Sequence, residues 1–238
     1  MRRGARPGAA LLAAGALLLP GAAVAQTTDA WRFDLVPYVW GAGLEGTESI
    51  GAVTVELDAS AGDLIEFLDA GGSLRFEARS NPWGWFVEGT YFKLEDEQTI
   101  PTGTIAIVVK QTIAEAGLIH RIKESLEAYL GVRYQRVDTR IGFPLLGTSE
   151  GDPDWMDGII GLRWLPVRSD VGAVWLRGDI GTGGSNLVWL AEVGGAYRFN
   201  KTLSAVATYR YMDTDYEATG FTWDMVQSGF GIGIGISW

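Results

Sequence analysis

Residues 223–238 read WDMVQSGFGIGIGISW, and from Phe230 onward every second position is large and apolar: Phe230, Ile232, Ile234, Ile236 and Trp238. Only Gly and Ser stand between them. A period of two puts successive side chains on opposite sides of an extended chain, so this is a strand with one greasy face and one nearly bare face. A strand packed on a soluble core usually carries charge or Thr on its second face. Here that face carries almost nothing.

The other end of the chain supplies a second constraint. Residues 1–25 hold Arg2, Arg3 and Arg6, an apolar run from Ala9 to Leu19, Pro20, and the small triplet Ala23-Val24-Ala25 ahead of Gln26. This order makes a secretory signal peptide cut after Ala25, with 26–238 as one exported domain. The run is too short for a membrane-spanning helix, which needs about 20 residues. Charges interrupt every later apolar stretch, so an exported chain that enters a membrane must do so with strands. Cys is absent, which excludes disulfides and thiol chemistry. Without the signal arginines, 16 cationic side chains face 29 acidic ones, a net charge near −13. Such a surface argues against nucleic acid as a partner.

Ten strands are expected, near 31–45, 71–80, 84–95, 107–121, 126–140, 155–166, 171–182, 186–199, 203–215 and 223–238. Short turns at 80–82, 123–125, 166–170 and 200–202 alternate with longer polar loops at 46–70, 96–106, 141–154 and 216–222. The 183–185 connection is short where a long one is expected. This pattern predicts an all-β, antiparallel up-and-down transmembrane barrel of ten strands, with eight or twelve as alternative counts, and with its short turns on the periplasmic side.

One face of each strand is almost free of charge, as in Leu74 and Phe76, Leu130 and Val132, or Ile160 and Leu162. Aromatic residues gather at its two ends: Trp85, Trp164, Tyr197, Phe199 and Trp238 near the turns, and Tyr91, Tyr134, Trp189 and Tyr211 near the loops. Two aromatic girdles around an apolar band suit a bilayer. A soluble β-sandwich also alternates, yet it gives no reason for a double girdle. A lipocalin-like barrel would turn its apolar face inward.

The opposite face carries Arg32, Arg75, Arg79, Arg121, Arg133, Arg163, Arg177, Arg198 and Arg210 against Asp34, Glu77, Glu88, Glu115, Glu127, Asp157, Asp179 and Glu192. Nine cations and eight anions nearly cancel, and Arg binds carboxylates in a planar, bidentate fork. Small barrels are filled by their side chains, whereas wide aqueous channels need 16 to 18 strands. These residues, with Gln111, Gln135, Tyr38, Trp40 and Trp175, are therefore expected to interlock into a closed lumen. A narrow, porin-like channel for small solutes or cations is the alternative.

The acidic excess falls in the loops, at Glu45, Glu48, Glu56, Asp58, Asp63, Glu66, Asp69, Asp96, Glu97, Glu150, Asp152, Asp154 and Glu217. Such loops solvate a surface, or gather divalent cations, although no EF-hand spacing is present. Residues Asp63 to Asp69 place apolar side chains at helical spacing and suit a short capping helix or an irregular turn. A barrel enzyme is the further alternative, but the single histidine, His120, falls at the turn end of its strand on the lipid side. That is the wrong end for protease chemistry of the omptin type. GIGIGI is strand alternation without a following helix, so it makes no phosphate cradle. No catalytic residue, metal ligand or cofactor is assigned.

The opening stretch Trp31 to Gly46, Phe76-Glu77-Ala78-Arg79 and Trp83-Gly84-Trp85 resemble a group of uncharacterised proteobacterial outer-membrane proteins. The architecture is similar to the small OmpA/OmpX-type barrels. The last strand resembles the closing strand of such proteins, whose terminal aromatic, usually Phe, is read by the barrel assembly machinery. The resemblance implies a barrel in the outer membrane of a Gram-negative bacterium and assigns no activity; the reading favoured on the residues is a non-enzymatic envelope protein, structural or surface-interacting, in contact with outer-membrane lipid and lipopolysaccharide.

Overall fold

The computed structural model describes residues 30–51, 53–59, 68–100, 103–143 and 147–238. The expected signal peptide and most of the Asp63–Asp69 stretch lie outside them, while Leu68 and Asp69 belong to a strand. The first six strands are β1 (Arg32–Ile50), β2 (Val53–Ala59), β3 (Leu68–Ser80), β4 (Trp83–Ile100), β5 (Gly103–Lys123) and β6 (Leu126–Phe143). The rest are β7 (Gly147–Gly151), β8 (Asp154–Arg168), β9 (Gly172–Gly183), β10 (Leu187–Arg198), β11 (Leu203–Ala218) and β12 (Phe221–Ser237). Ten of them form an antiparallel ring. It closes where β12 pairs with β1, from Asp34↔Ser237 to Ile50↔Phe221, so the ring has no free edge. The other two, β2 and β7, pair back on β1 and β6 above the ring.

The four expected loops are corrected by these strands. β1, β4, β5, β6, β11 and β12 continue into segments 46–70, 96–106, 141–154 and 216–222, and β2 and β7 lie within two of them. A polar stretch stays extended when a neighbour keeps its backbone groups paired, as Gly103 to Ile107 do against Asp96 to Ile100. The tips of two hairpins meet where the Gly51 amide donates to the Gly220 carbonyl at 2.8 Å. Both glycines turn with positive φ, +61° and +79°, a conformation in which a Cβ is strained. The wall is uneven, because β9 and β10 have 12 residues each while β5 has 21. At the opposite end the connections are tight. Asn200 Oδ1, for example, accepts the amides of Thr202 and Leu203, both at 2.8 Å.

Burial runs inside out around the middle of the ring. Ile160, Ile232 and Phe230 are 64, 68 and 70 % exposed on the outside, while Arg133 and Glu127 inside are 0 and 1 % exposed. Water-soluble proteins do the reverse, and an apolar belt of this extent fits hydrocarbon. All nine girdle aromatics lie on the outer face, exposed or half-exposed. Trp238 stacks on Phe33 at 5.7 Å near the turns, and Trp189 stacks on Tyr211 at 4.9 Å near the hairpins. Ala78 shares this face but is buried, its cross-strand neighbours being Phe33 and Trp85.

Beyond the hairpin-side girdle the pattern reverses. On β6 the outward series passes from Tyr134 to Arg136, Asp138 and Arg140, while the inward series passes from Arg133 and Gln135 to Val137 and Ile141. β11 repeats this, with Asp213 and Asp215 outside and Met212 and Tyr216 inside. The ring thus leaves the apolar belt as an ordinary water-facing structure with a core of its own.

Candidate functional site: a cross-braced lumen

Alternation aims one side chain in two at the barrel axis, and in the apolar belt these include paired charges, packed beside a small cluster of Phe86, Ile119, Tyr129 and Ile159. Arg163 on β8 crosses the lumen to Glu77 on β3, donating through both terminal nitrogens at 3.0 and 2.8 Å, and also reaches Glu127 on β6 at 2.8 and 2.6 Å. Arg79 joins the same two carboxylates. Arg177 on β9 reaches Glu115 on β5 at 2.6 Å and Asp179 at 3.2 Å, and Arg133 on β6 holds the same pair at 2.8 and 2.9 Å. Arg210 on β11 spans to Glu88 on β4 at 2.7 Å and to Glu192 at 2.9 Å. Arg75 binds Glu88 and, at 3.2 Å, Glu77.

Six arginines and six carboxylates therefore form one connected, neutral layer that braces eight strands. The Tyr38 hydroxyl donates to Glu88, the Trp175 indole donates to Glu192 at 2.9 Å, and the Tyr129 hydroxyl donates to Asp179 at 2.7 Å while accepting from Arg177 at 2.9 Å. Guanidinium faces lie over rings, Arg75 over Phe86 at 4.6 Å and Arg177 over Tyr129 at 5.1 Å. Charges buried this deeply are tolerated only when each is paired and hydrogen-bonded.

The structure places the five other expected network residues elsewhere. Arg32 and Asp34 lie 3.9 Å apart at the turn-side mouth, and Arg121 touches Glu127 at 3.7 Å and donates to Asn81 at 3.2 Å. Two corrections are needed. Arg198 donates to the Ser169 carbonyl at 2.7 Å rather than to a carboxylate. Asp157 accepts the amides of Gly184 and Ser185 at 3.0 and 2.8 Å. The short β9–β10 hairpin turns back below its neighbours, so its amides need a cap and Asp157 supplies it.

Two more layers stand between the ions and the hairpin side. Gln111 and Gln227 exchange hydrogen bonds at 3.1 and 2.7 Å, and Gln111 also donates to Gln135 at 3.3 Å; Trp40, Ile113, Val188, Leu190 and Met212 pack at this level. Above them lies an apolar plug that includes Leu44, Val109, Val137, Trp155, Tyr216, Trp223 and Met225. Trp155 and Tyr216 stack at 4.1 Å, each from a strand flanking the short hairpin. Gly151 on β7 leans toward Phe221 and Ile50, where a Cβ would meet the phenyl ring at 3.0 Å, so the β6–β7 hairpin folds over the mouth.

The plug was not foreseen, and neither was the place of Glu48. That carboxylate was expected in a solvated loop, but it points inward and is 2 % exposed. Burial among apolar side chains pushes it up to about 7, partly offset by the Thr139 hydroxyl. The His120 ring rests on Trp83 at 4.4 Å on the outer face. Among the described residues no three His, Asp or Glu side chains converge on a metal position.

No protein-family model matches this sequence, and no curated protein matches it. Solved structures similar to the chain include the attachment invasion locus protein Ail of Yersinia pestis, crystallised with the heparin analogue sucrose octasulfate. It is 13 % identical with a TM-score of 0.40, covering 87 % of this chain and 98 % of that one. Neisserial surface protein A is 14 % identical with a TM-score of 0.34, covering 89 % and 99 %. The toluene transporter TodX of Pseudomonas putida is 11 % identical with a TM-score of 0.35, covering 88 % and 89 %. At such identities and scores these likenesses carry no statement about activity, and the fold rests on the strand register described above.

Proposed function

We propose that this chain is a non-enzymatic barrel of a Gram-negative outer membrane whose lumen does not conduct, and that its role is structural or surface-interacting. The apolar belt between two aromatic girdles supports the membrane location. The observation that carries the closed lumen is the neutral layer of six arginines and six carboxylates, in which Arg163, Arg177 and Arg210 each bond to a carboxylate on the far wall. An ion crossing it would have to separate buried pairs, and would next meet the apolar plug, where it gains no ligands. In that setting the partners are outer-membrane lipid and lipopolysaccharide, with the assembly machinery taking up β12. The hairpins of β1–β2, β4–β5 and β6–β7 rise past the girdle and offer polar surface for contacts outside the cell.

Planar-bilayer recording of the purified, folded protein tests this. Silent insertion is expected, with conductance appearing only when the brace is removed, as in a combined Arg163→Ala, Arg177→Ala, Arg210→Ala variant. Steady unitary conductance of the unaltered protein would instead establish the narrow channel.

A further inference from the structure

Below the ion layer the lumen widens into a vestibule of about 190 Å³ that opens at the turn side. It exists because one part of its wall has little bulk: Gly231, Gly233, Gly235, Ser204 and Ala196 face it. The rest of the rim is cationic. Arg32, Arg168 and Arg198 line the vestibule, and Arg121 stands beside them. Against the three lining arginines the mouth holds Asp34, which is shared between Arg32 at 3.9 Å and the Ser237 hydroxyl at 2.5 Å, while Arg121 lies 3.7 Å from Glu127.

Neighbouring charges do not cancel this surplus. The ion layer above is balanced within itself, and Glu127, the one member of it that reaches the rim, is held by Arg79 and Arg163 and lies 3.7 Å from Arg121. The adjoining turns contribute Lys123 and Lys201 against Glu124 and Asp170, two of each sign. The Arg168 side chain has no hydrogen bond or ion pair among the described residues; the charges of Arg121, Arg32 and Arg198 oppose its own, and that of Glu127 attracts it. The guanidinium groups of Arg32, Arg168 and Arg198 around one concave mouth focus a positive field that a bound anion would relieve. The planar fork of Arg suits oxyanions, which it grips through two oxygens at once.

We infer that the turn-side vestibule is a binding site for a small oxyanion carrying two or more negative charges, of the phosphoryl or polycarboxylate class. On the orientation proposed above, the site faces the periplasm. The ligand sits on Arg168 and Arg198, with Arg32 closing around it, and the ion layer forms the inner end of the site. Small size is imposed by the volume, and multiple charge by the surplus.

Calorimetric titration of the folded barrel in non-ionic detergent, first with sodium pyrophosphate and then with sodium citrate, tests the assignment. Both ends of the barrel are accessible there, so the result does not depend on orientation or on whether the lumen conducts. Saturable binding of either anion with Kd below about 1 mM is expected, and the tighter of the two names the class. The double variant Arg168→Gln, Arg198→Gln lies outside the twelve-residue brace and is expected to fold, as its heat-modifiable gel mobility will report. It should weaken binding at least tenfold. Arg140→Gln, at the far end, should leave binding unchanged. Absence of saturation with both anions by about 10 mM, or equal affinity in the folded double variant, would overturn the inference.

Discussion

The two halves of the lumen obey opposite rules. Within the apolar belt the Arg and Glu side chains point inward, beside the small cluster of Phe86, Ile119, Tyr129 and Ile159, and the outward ones are Leu, Val and Ile; past Tyr134 and Tyr211 the inward ones become Val137, Trp223 and Met225, and the outward ones Arg136, Asp138 and Asp213. The surroundings account for the difference. Where hydrocarbon covers the wall, apolar side chains are drawn to the outside, so cohesion across the lumen rests mainly on hydrogen-bonded ion pairs. Where water covers the wall, an apolar interior again lowers the free energy. The boundary between the two regimes is the hairpin-side girdle.

The largest expected effect comes from breaking the lower half. Arg163→Met leaves Glu77 and Glu127 short of their shared partner and should cost about 3–5 kcal/mol, measured by urea unfolding in lipid vesicles. A loss below about 1 kcal/mol would mean that the brace is no more than a solvated surface network. On the outer wall, Ile160→Arg should cost about 2–4 kcal/mol, the range for a cation facing the middle of a bilayer. The complementary Arg136→Ile, beyond the girdle, should change stability by less than about 0.5 kcal/mol. Equal costs at the two positions would erase the boundary.

The upper half carries its own test in Glu48. A carboxylate raised to about 7 in the fold holds its proton more tightly than in the unfolded chain. Its contribution is complete below the ordinary carboxylate range and is lost as pH rises through about 7, a difference on the order of 3 kcal/mol. Glu48→Gln should remove that slope, read as the change in wild-type minus variant stability between acid and neutral pH. An unchanged slope would mean that the carboxylate is solvated. A small effect also belongs to the exposed Arg140–Glu150 pair, 2.7 Å apart, where Glu150→Gln should cost less than about 1 kcal/mol and less still in high salt.

What was legible in the sequence follows from the same division. A strand crossing hydrocarbon must keep one face free of charge for its whole span, so Phe230 to Trp238 and the faces of β6 and β8 announced a barrel and its ring of ten. Once a strand leaves the belt, its apolar residues move to the other face, as between Tyr134-Gln135 and Arg136-Val137. That change of phase makes a continuing strand look like the start of a loop, and the plug was hidden in it. Arg168 was hidden by a bulge between Trp164 and Val167, which turns it toward the lumen from what reads as a turn around Pro166. The pairing of Asp157 with two hairpin amides depended on the height of β9 relative to β8, which tertiary structure alone decides.

The division of the wall is tested most directly with single cysteines, since the chain has none of its own. Nitroxide labels at Val132→Cys, Tyr134→Cys, Arg136→Cys and Asp138→Cys in the vesicle-reconstituted barrel would be read by their collision with oxygen and with a water-soluble nickel chelate. The labels at 132 and 160 (Ile160→Cys) are predicted to meet oxygen and exclude nickel, with crossover to nickel access between 134 and 136. Nickel access at 132 and 160 would contradict the account, because water rather than hydrocarbon would then lie against the uncharged wall.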